Sequence, residues 1–367
     1  MAETDLDANN NATETSAHTH PWLAHYPPGI DWNKTYTPHP LPKLLSDAAT
    51  QYPANICTNF LGRTQTYAEI AAAVERTAAG LAANGVARGT KVGLCLPNCP
   101  TFIIYYFAAL KLGATIVNYN PLYTVEELVH QVTDSETELM VTLDLKTLFD
   151  KTEALLASGH LKRAVVCSFS GLLPSSKAVL FRLFKARDIA APRKSKVADQ
   201  IVLEHELLEA GSKAGGYPAA DIDPEQDVAV LQYTGGTTGT PKGAMLTHAN
   251  LYINTQQVAD WAPALTDAEE RVFGVLPFFH VFAMTVVLNF SIARAAQIII
   301  MPRFVLDDAL KMIHKTRPTV MPGVPTLFNA IIHHPKLSTY DLSSLKFCIS
   351  GGAALPLDVK TRFQNLT

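Results

Sequence analysis

The chain has 367 residues, 48% hydrophobic and 17% charged, a balance that excludes a disordered polymer and leaves room for one or two sizeable domains. A formal net charge of −3 gives no electrostatic reason to expect nucleic acid as a partner. Five scattered cysteines (57, 95, 99, 167, 348) have no zinc-ribbon spacing; they read as free thiols of a reducing compartment, so the expected location is the cytoplasm.

Residues 1–16 are polar and acidic, lack the basic start and apolar core of a secretory signal, and are expected to be a disordered tail. Residues 21–42 carry six prolines among Trp22, Tyr26, Trp32 and Tyr36, which predicts an extended arm lying on the domain. Tail and arm together make a leading segment, 1–40. From 41 onward helix and strand patterns alternate. Thr66 with Glu69 forms a capping-box pair that opens a helix with Ile70, Val74, Ala78 and Leu81 inward and Gly85 at its end. Residues 92–96 read as a strand, 100–112 as a buried aromatic helix and 114–118 as a strand. Thr124 with Glu127 caps the next helix, and strands follow at 139–143 and 163–168. Short apolar strands separated by helices imply an α/β fold with a mostly parallel sheet covered on both faces.

Residues 172–196 interrupt this rhythm. Lys177, Arg182, Lys185, Arg187, Arg193, Lys194 and Lys196 stand there against Asp188 alone, with Val179, Leu180, Leu183 and Phe184 at helical spacing. Two readings fit: a solvated insertion loop, or a basic amphipathic helix resting on an anionic membrane surface. A second alternating block starts near Asp223-Pro224, which divides the chain into a first α/β subdomain, 41–222, and a second, 223–367.

The second block opens on its most specific stretch. Residues 227–232 (DVAVLQ) read as a buried strand, and YTGGTTGTPKG follows at 233–243. Gly235, Gly236 and Gly239 let backbone N–H groups approach an anion, while Thr234, Thr237, Thr238 and Thr240 supply hydroxyls. Pro241 fixes one dihedral, and Lys242 is a point charge of the sign a phosphate requires. The pattern is neither a Walker A loop nor G-x-G-x-x-G, because AMLTH after Lys242-Gly243 reads as another strand rather than a helix. A plain Gly/Thr surface hairpin is the alternative. Thr247 then caps a helix over 249–260, and 272–276 is a strand. LPFFHVFAM (276–284) places His280 after that strand. The apolar run 281–300 has the length of a membrane span, but Arg294 inside it would be costly in lipid, and 295–301 reads as a buried strand. A helix at 307–316 leads to TVMPGVPT (319–326) and to LKFCISGGAAL (345–355), a strand entering a Gly-Gly turn.

YTGGTTGTPKG resembles the phosphate-binding signature of the adenylate-forming superfamily, which includes acyl-CoA synthetases, luciferases and peptide-synthetase adenylation domains. Many members carry Ser at the place of Gly235. The likeness extends over nearly everything after 41. MPGVPTLFNAI, LPFFHVFAM and the basic insertion are most similar to bacterial long-chain fatty-acid CoA ligases. The resemblance implies the N-terminal domain of that fold, with two helix-flanked, mostly parallel sheets in layers. It implies ATP, Mg²⁺ and coenzyme A as cofactor and co-substrates and a long-chain fatty acid as substrate. Nucleotide contacts would come from Thr234, Gly235, Gly236, Thr237, Thr238, Gly239, Lys242, Val281, Gly351, Gly352 and Ala353. Thr234 would be a magnesium ligand, and His280, Thr237 and Lys242 would act in catalysis. Phe279, His280, Phe282, Met284, Gly323, Val324 and Pro325 would line the acyl site. A cytoplasmic protein held peripherally on the inner membrane face would follow.

The superfamily's Tyr-Gly-x-Thr-Glu motif, ribose-binding Asp and mobile C-terminal domain with its Lys are not in this chain. The expectation is therefore the N-terminal part of a ligase, with an incomplete second subdomain, not competent alone. Two alternatives stand beside it: a ligase of the same fold for an aryl or medium-chain acid, and a non-catalytic nucleotide- or acyl-binding protein.

Overall fold

A computed structural model describes residues 20–234 and 241–367, and the chain forms two units, 1–35 and 36–367. The expected tail at 1–16 lies outside the described residues, as does the loop 235–240. In the first unit, Pro21–His25 forms a 3-10 turn, so this piece is not extended as the prolines suggested. Pro21 sits at the first helical position, where its missing N–H costs nothing. Around the turn His20 stacks on Trp22 with ring centroids 4.6 Å apart, and Trp32 meets Trp22 edge-on at 5.8 Å.

The second unit begins with the rest of the proline-rich segment, fastened onto one helix, His248–Asp260. Tyr36 donates its hydroxyl hydrogen to Asp260 Oδ2 at 2.6 Å, and the Leu41 N–H donates to His248 Nδ1 at 3.1 Å. His248 is buried. Burial pushes its imidazole down to about 4, so it is neutral and holds Leu41 as an acceptor.

The strands, in chain order, are β1 (Ile56–Phe60), β2 (Arg63–Thr66), β3 (Lys91–Leu94), β4 (Thr115–Asn118), β5 (Leu139–Leu143), β6 (Arg163–Cys167), β7 (Ile201–Leu203), β8 (Val228–Thr234), β9 (Lys242–Thr247), β10 (Arg271–Gly274), β11 (Gln297–Ile300), β12 (Val320–Gly323) and β13 (Phe347–Ser350). They form a seven-stranded sheet ordered β7-β6-β5-β3-β4-β8-β9 and a six-stranded sheet ordered β13-β12-β10-β11-β1-β2. Neighbours are parallel except for the hairpins β1–β2 and β8–β9. This is the mixed α/β, mostly parallel arrangement read from the strand pattern. The division at 222 does not follow the sheets. The early hairpin β1–β2 completes the six-stranded sheet, and β8–β9 completes the seven-stranded one. Hydrogen-bonding edges, not sequence order, set the layers, because a β-edge left without a partner leaves its backbone polar groups unpaired.

The capping residues act as their side chains dictate. Thr66, Thr124 and Thr247 each accept from the backbone N–H three residues on, and Glu69, Glu127 and Asn250 return the bond. The aromatic helix α1 (Pro100–Lys111) is buried almost all round, with Phe102, Tyr105, Tyr106 and Phe107 inaccessible. Residues 281–293 are helical with a π-helical middle, Met284–Asn289, and the turn that follows separates them from β11. No helix among the described residues is long and apolar enough to cross a membrane.

Candidate active site

β8 is an interior strand, held by β4 on one side and β9 on the other. At its end Thr234 lies directly opposite Lys242 across the antiparallel pair, and both are exposed. Residues 235–241 join them, and 235–240 are not described, so the expected phosphate contacts of Gly235, Gly236, Thr237, Thr238 and Gly239 fall outside the described residues. The base of the hairpin is fixed by Tyr233. Its ring lies over Gly243, where an added Cβ would sit 3.0 Å from a ring carbon. Its hydroxyl bonds to Asp134 of the helix Val125–Ser135. Burial and the Asp134 carboxylate push the Tyr233 phenol up, so it stays a donor.

A buried chain of amides joins this hairpin to the His280 loop. Gln131 donates to the Asn118 carbonyl at 2.9 Å, Asn118 donates to Gln232 Oε1 at 3.2 Å, and Gln232 donates to the Phe279 carbonyl at 3.0 Å. Asn98, between Pro97 and Cys99, closes the loop from the other side. It donates to the carbonyls of Gly274 and Leu276 at 3.2 and 2.8 Å and accepts from the Phe278 N–H at 2.8 Å. Next along, the Phe282 N–H donates to His280 Nδ1 at 3.3 Å. A neutral imidazole that accepts at Nδ1 carries its proton on Nε2, which leaves His280 a donor. His280 itself is exposed.

The Gly-Gly turn meets the same loop. A Cβ on Gly351 would lie 2.6 Å from the Phe282 ring, so only glycine lets the two segments approach this closely. Gly352 has φ +79°, the left-handed region, and lies beside Val324. Behind these segments an apolar cavity of about 820 Å³ lies between the sheets. Leu148 and Phe169 line it from one side, and Leu276, Phe279 and Leu327 from the other. Its size is that of a ligand site rather than a packing defect.

The candidates from sequence fall into three groups. Phe279, His280, Phe282, Val324, Gly351 and Gly352 meet at this junction, with Val281 next to His280 in the chain, Thr234 and Lys242 stand at the end of the hairpin beyond Gln232, and Ala353 follows as an exposed residue. Phe279 and Val324 line the cavity. His280, Phe282, Met284, Gly323 and Pro325 do not. Met284 is fully buried and accepts from Asn118 Nδ2 at 3.4 Å, so it packs in the core behind the loop. The Cβ position of Gly323 is filled by Phe328, and Pro325 opens the helix Pro325–Ile332. Asn98, Leu148 and Phe169 carry no motif that marks them in advance. No group of three or more His, Cys, Asp or Glu side chains suited to a metal lies among the described residues.

A doubly layered α/β body with a hairpin beside an apolar cavity has the form of an open α/β ligand-binding fold. Residues 45–367 match the sequence profile of the family described as AMP-binding enzyme, and the chain belongs to that family. It is 38% identical, over 95% of its length, to a long-chain-fatty-acid–CoA ligase of Bacillus subtilis (strain 168), of which it spans 61%. It is 32% identical to 4-coumarate–CoA ligase 4 of Arabidopsis thaliana over 83% of this chain and 50% of that protein. Among solved structures, a long-chain-fatty-acid-CoA ligase from Archaeoglobus fulgidus superposes with a TM-score of 0.74 at 25% identity, over 93% of this chain and 63% of that one. The N-terminal domain of FACL13 from Mycobacterium tuberculosis superposes with a TM-score of 0.66 at 25% identity, over 89% and 73%.

Proposed function

We propose that the whole protein activates a long-chain fatty acid in two steps, forming an acyl-adenylate and then acyl-CoA. The observation that carries this reading is the apolar cavity, which runs against the His280 loop where the hairpin and the Gly-Gly turn converge. In the first step a carboxylate oxygen attacks the α-phosphorus of ATP, and pyrophosphate leaves. In the second the coenzyme A thiol attacks the acyl carbon, and AMP leaves. The first step calls for charge neutralisation on phosphate oxygens and for reactants held in line. Lys242 would supply a cation at the phosphates, Thr237 with the loop N–H groups would donate hydrogen bonds, and His280 Nε2 would donate at the junction of acyl and phosphate. Gly351, Gly352 and Ala353 would border the nucleotide. Magnesium keeps most of its waters and usually takes few protein ligands beside substrate phosphates. The exposed Thr234 hydroxyl opposite Lys242 suits that role, and the ion would neutralise phosphate charge.

The helix α2 (Ser175–Phe184) would hold the protein on an anionic membrane surface. Its outward face carries Val179, Leu180, Leu183 and Phe184, between 53% and 78% exposed, beside Arg182, Lys185 and Arg187. All five cysteines are free, which supports a reducing compartment. Pyrophosphate release with palmitate, ATP, Mg²⁺ and coenzyme A tests the reaction. Thr237→Ala should slow it by a charge-assisted hydrogen bond worth about 1.5–3 kcal/mol, and Lys242→Ala should weaken ATP use. Release with an aryl or medium-chain acid in preference to palmitate would move the substrate to that class. ATP binding without release would make the protein a non-catalytic binder.

A further inference from the structure

The exposed His280 is fixed from behind at two points. The Phe282 N–H holds the ring, donating to Nδ1 as to any N-cap side chain. Gln232 holds the peptide plane that enters the residue, since its Nε2 donates to the Phe279 carbonyl at 3.0 Å. The backbone of His280 is taken as well: its N–H donates to the Pro277 carbonyl at 3.0 Å, and its carbonyl accepts from the Met284 N–H at 2.9 Å. Gln232 is buried on β8, so this donor is mounted on an interior strand rather than on a loop. Side chains alternate along a strand, so Gln232 and Thr234 face the same way, about 7 Å apart at about 3.3 Å per residue. One strand therefore carries both Thr234, opposite Lys242, and the amide that sets His280. The chemistry specifies glutamine. Oε1 accepts from Asn118 Nδ2 at 3.2 Å, which turns the amino end toward Phe279, and the Tyr233 carbonyl takes a weaker bond from it at 3.4 Å. A glutamate would keep the acceptor for Asn118 but set an oxygen against the Phe279 carbonyl.

Resting on the acyl-activating reading above, we propose that Gln232 is a positioning residue for the adenylation step. It acts through His280, keeping Nε2 in register with the hairpin so that both meet the same reacting phosphate. Gln232 is buried and lines no part of the apolar cavity, so it serves the rate and not the binding of either substrate. Donors aimed in advance at a developing charge need no rearrangement when the charge appears, and that is what a strand-mounted clamp supplies.

A double-mutant cycle on pyrophosphate release by the whole protein tests this, with palmitate, ATP, Mg²⁺ and coenzyme A. Gln232→Glu should lower kcat by roughly ten- to a hundredfold, as a misplacement of about 1 Å can, with KM for ATP and palmitate within about twofold of wild type. His280→Ala should lower kcat too. Adding Gln232→Glu to it should cost no more than about twofold further, because no imidazole is left to place. The deficit of Gln232→Glu relative to wild type should shrink as pH falls from about 8 to about 6, since a buried carboxyl that takes a proton can donate to Phe279 as the amide does. Gln232→Met, of similar length and without charge, carries the same cycle if the glutamate variant does not fold. A double variant whose loss equals the product of the two single losses overturns the role of Gln232 while the acyl-activating reading stands. So does wild-type kcat in both Gln232 variants. No pyrophosphate release by the wild-type protein with palmitate, a medium-chain acid or an aryl acid removes the acyl-activating reading itself, and the positioning role with it.

Discussion

The amide seam between the sheets and the helix α2 are held by opposite means. The seam is buried and polar: Asn98, Asn118 and Gln232 bond backbone and side-chain groups that would otherwise be orphaned in the interior. The helix is exposed and amphipathic, tied down on one side by Phe181, the Lys177 bond to Leu61 and an Arg182 bond to Ser170 Oγ at 3.0 Å. Its other side has nothing to cover it among the described residues. The seam spends its side chains on holding the His280 loop still, and the helix leaves its side chains outward. Substitutions in the first should therefore cost stability, and substitutions in the second should cost surface binding alone.

The sharpest break of the seam is Asn98→Ala. It strips two carbonyls and the Phe278 N–H of their partner at once, and buried groups left unpaired are expensive, so unfolding stability should fall by about 3–4 kcal/mol. Urea titration reads this directly. A loss below about 1 kcal/mol would mean that water replaces the amide and the seam is not what fixes the loop.

A second buried polar tie, His248 on Leu41, should show in pH dependence. Its folded pKa is lowered to about 4 from 6.5. Between those values the unfolded chain binds a proton that the folded one does not, so stability falls as pH drops from about 6.5 to about 4. The full span is on the order of 3 kcal/mol. His248→Asn keeps an acceptor for Leu41 and removes the titration, so its stability curve should be flatter through that window. An equal slope in the variant would assign the pH dependence to other groups.

The smallest stability effect belongs to α2. Reversing Arg182, Lys185 and Arg187 to glutamate should leave unfolding stability within about 0.5 kcal/mol, as surface changes usually do. Binding to anionic vesicles at low salt should drop, since each such residue contributes on the order of 1 kcal/mol there. Co-sedimentation that is the same for both proteins would leave the exposed face without a membrane role.

The contrast also separates what the sequence discloses from what it hides. The helix was legible because its signal is local: apolar residues at helical spacing among lysines and arginines. The capping boxes at Thr66, Thr124 and Thr247 were legible for the same reason, and so was the strand entering the Gly/Thr hairpin. The seam was not, because Asn98 and Gln232 read as ordinary polar residues until strands far apart in sequence bring their partners to them. The sheet membership of β1–β2 was hidden likewise, since pairing with β11 joins residues more than two hundred positions apart. Met284 looked like a substrate contact by its place in LPFFHVFAM, yet the π-helical middle of 281–293 turns it into the core.

The central claim is that the hairpin, the His280 loop and the apolar cavity form one site for an acyl chain joined to a nucleotide. A crystal structure with palmitoyl-sulfamoyl-adenosine, a stable mimic of the acyl-adenylate, tests it most directly. The account predicts the acyl chain in the cavity past Phe279 with its tail toward Phe304, and the sulfamoyl group between Lys242 and His280. Density for the chain in any other part of the molecule, such as the cavity bordered by Phe328 and Phe363, would contradict it.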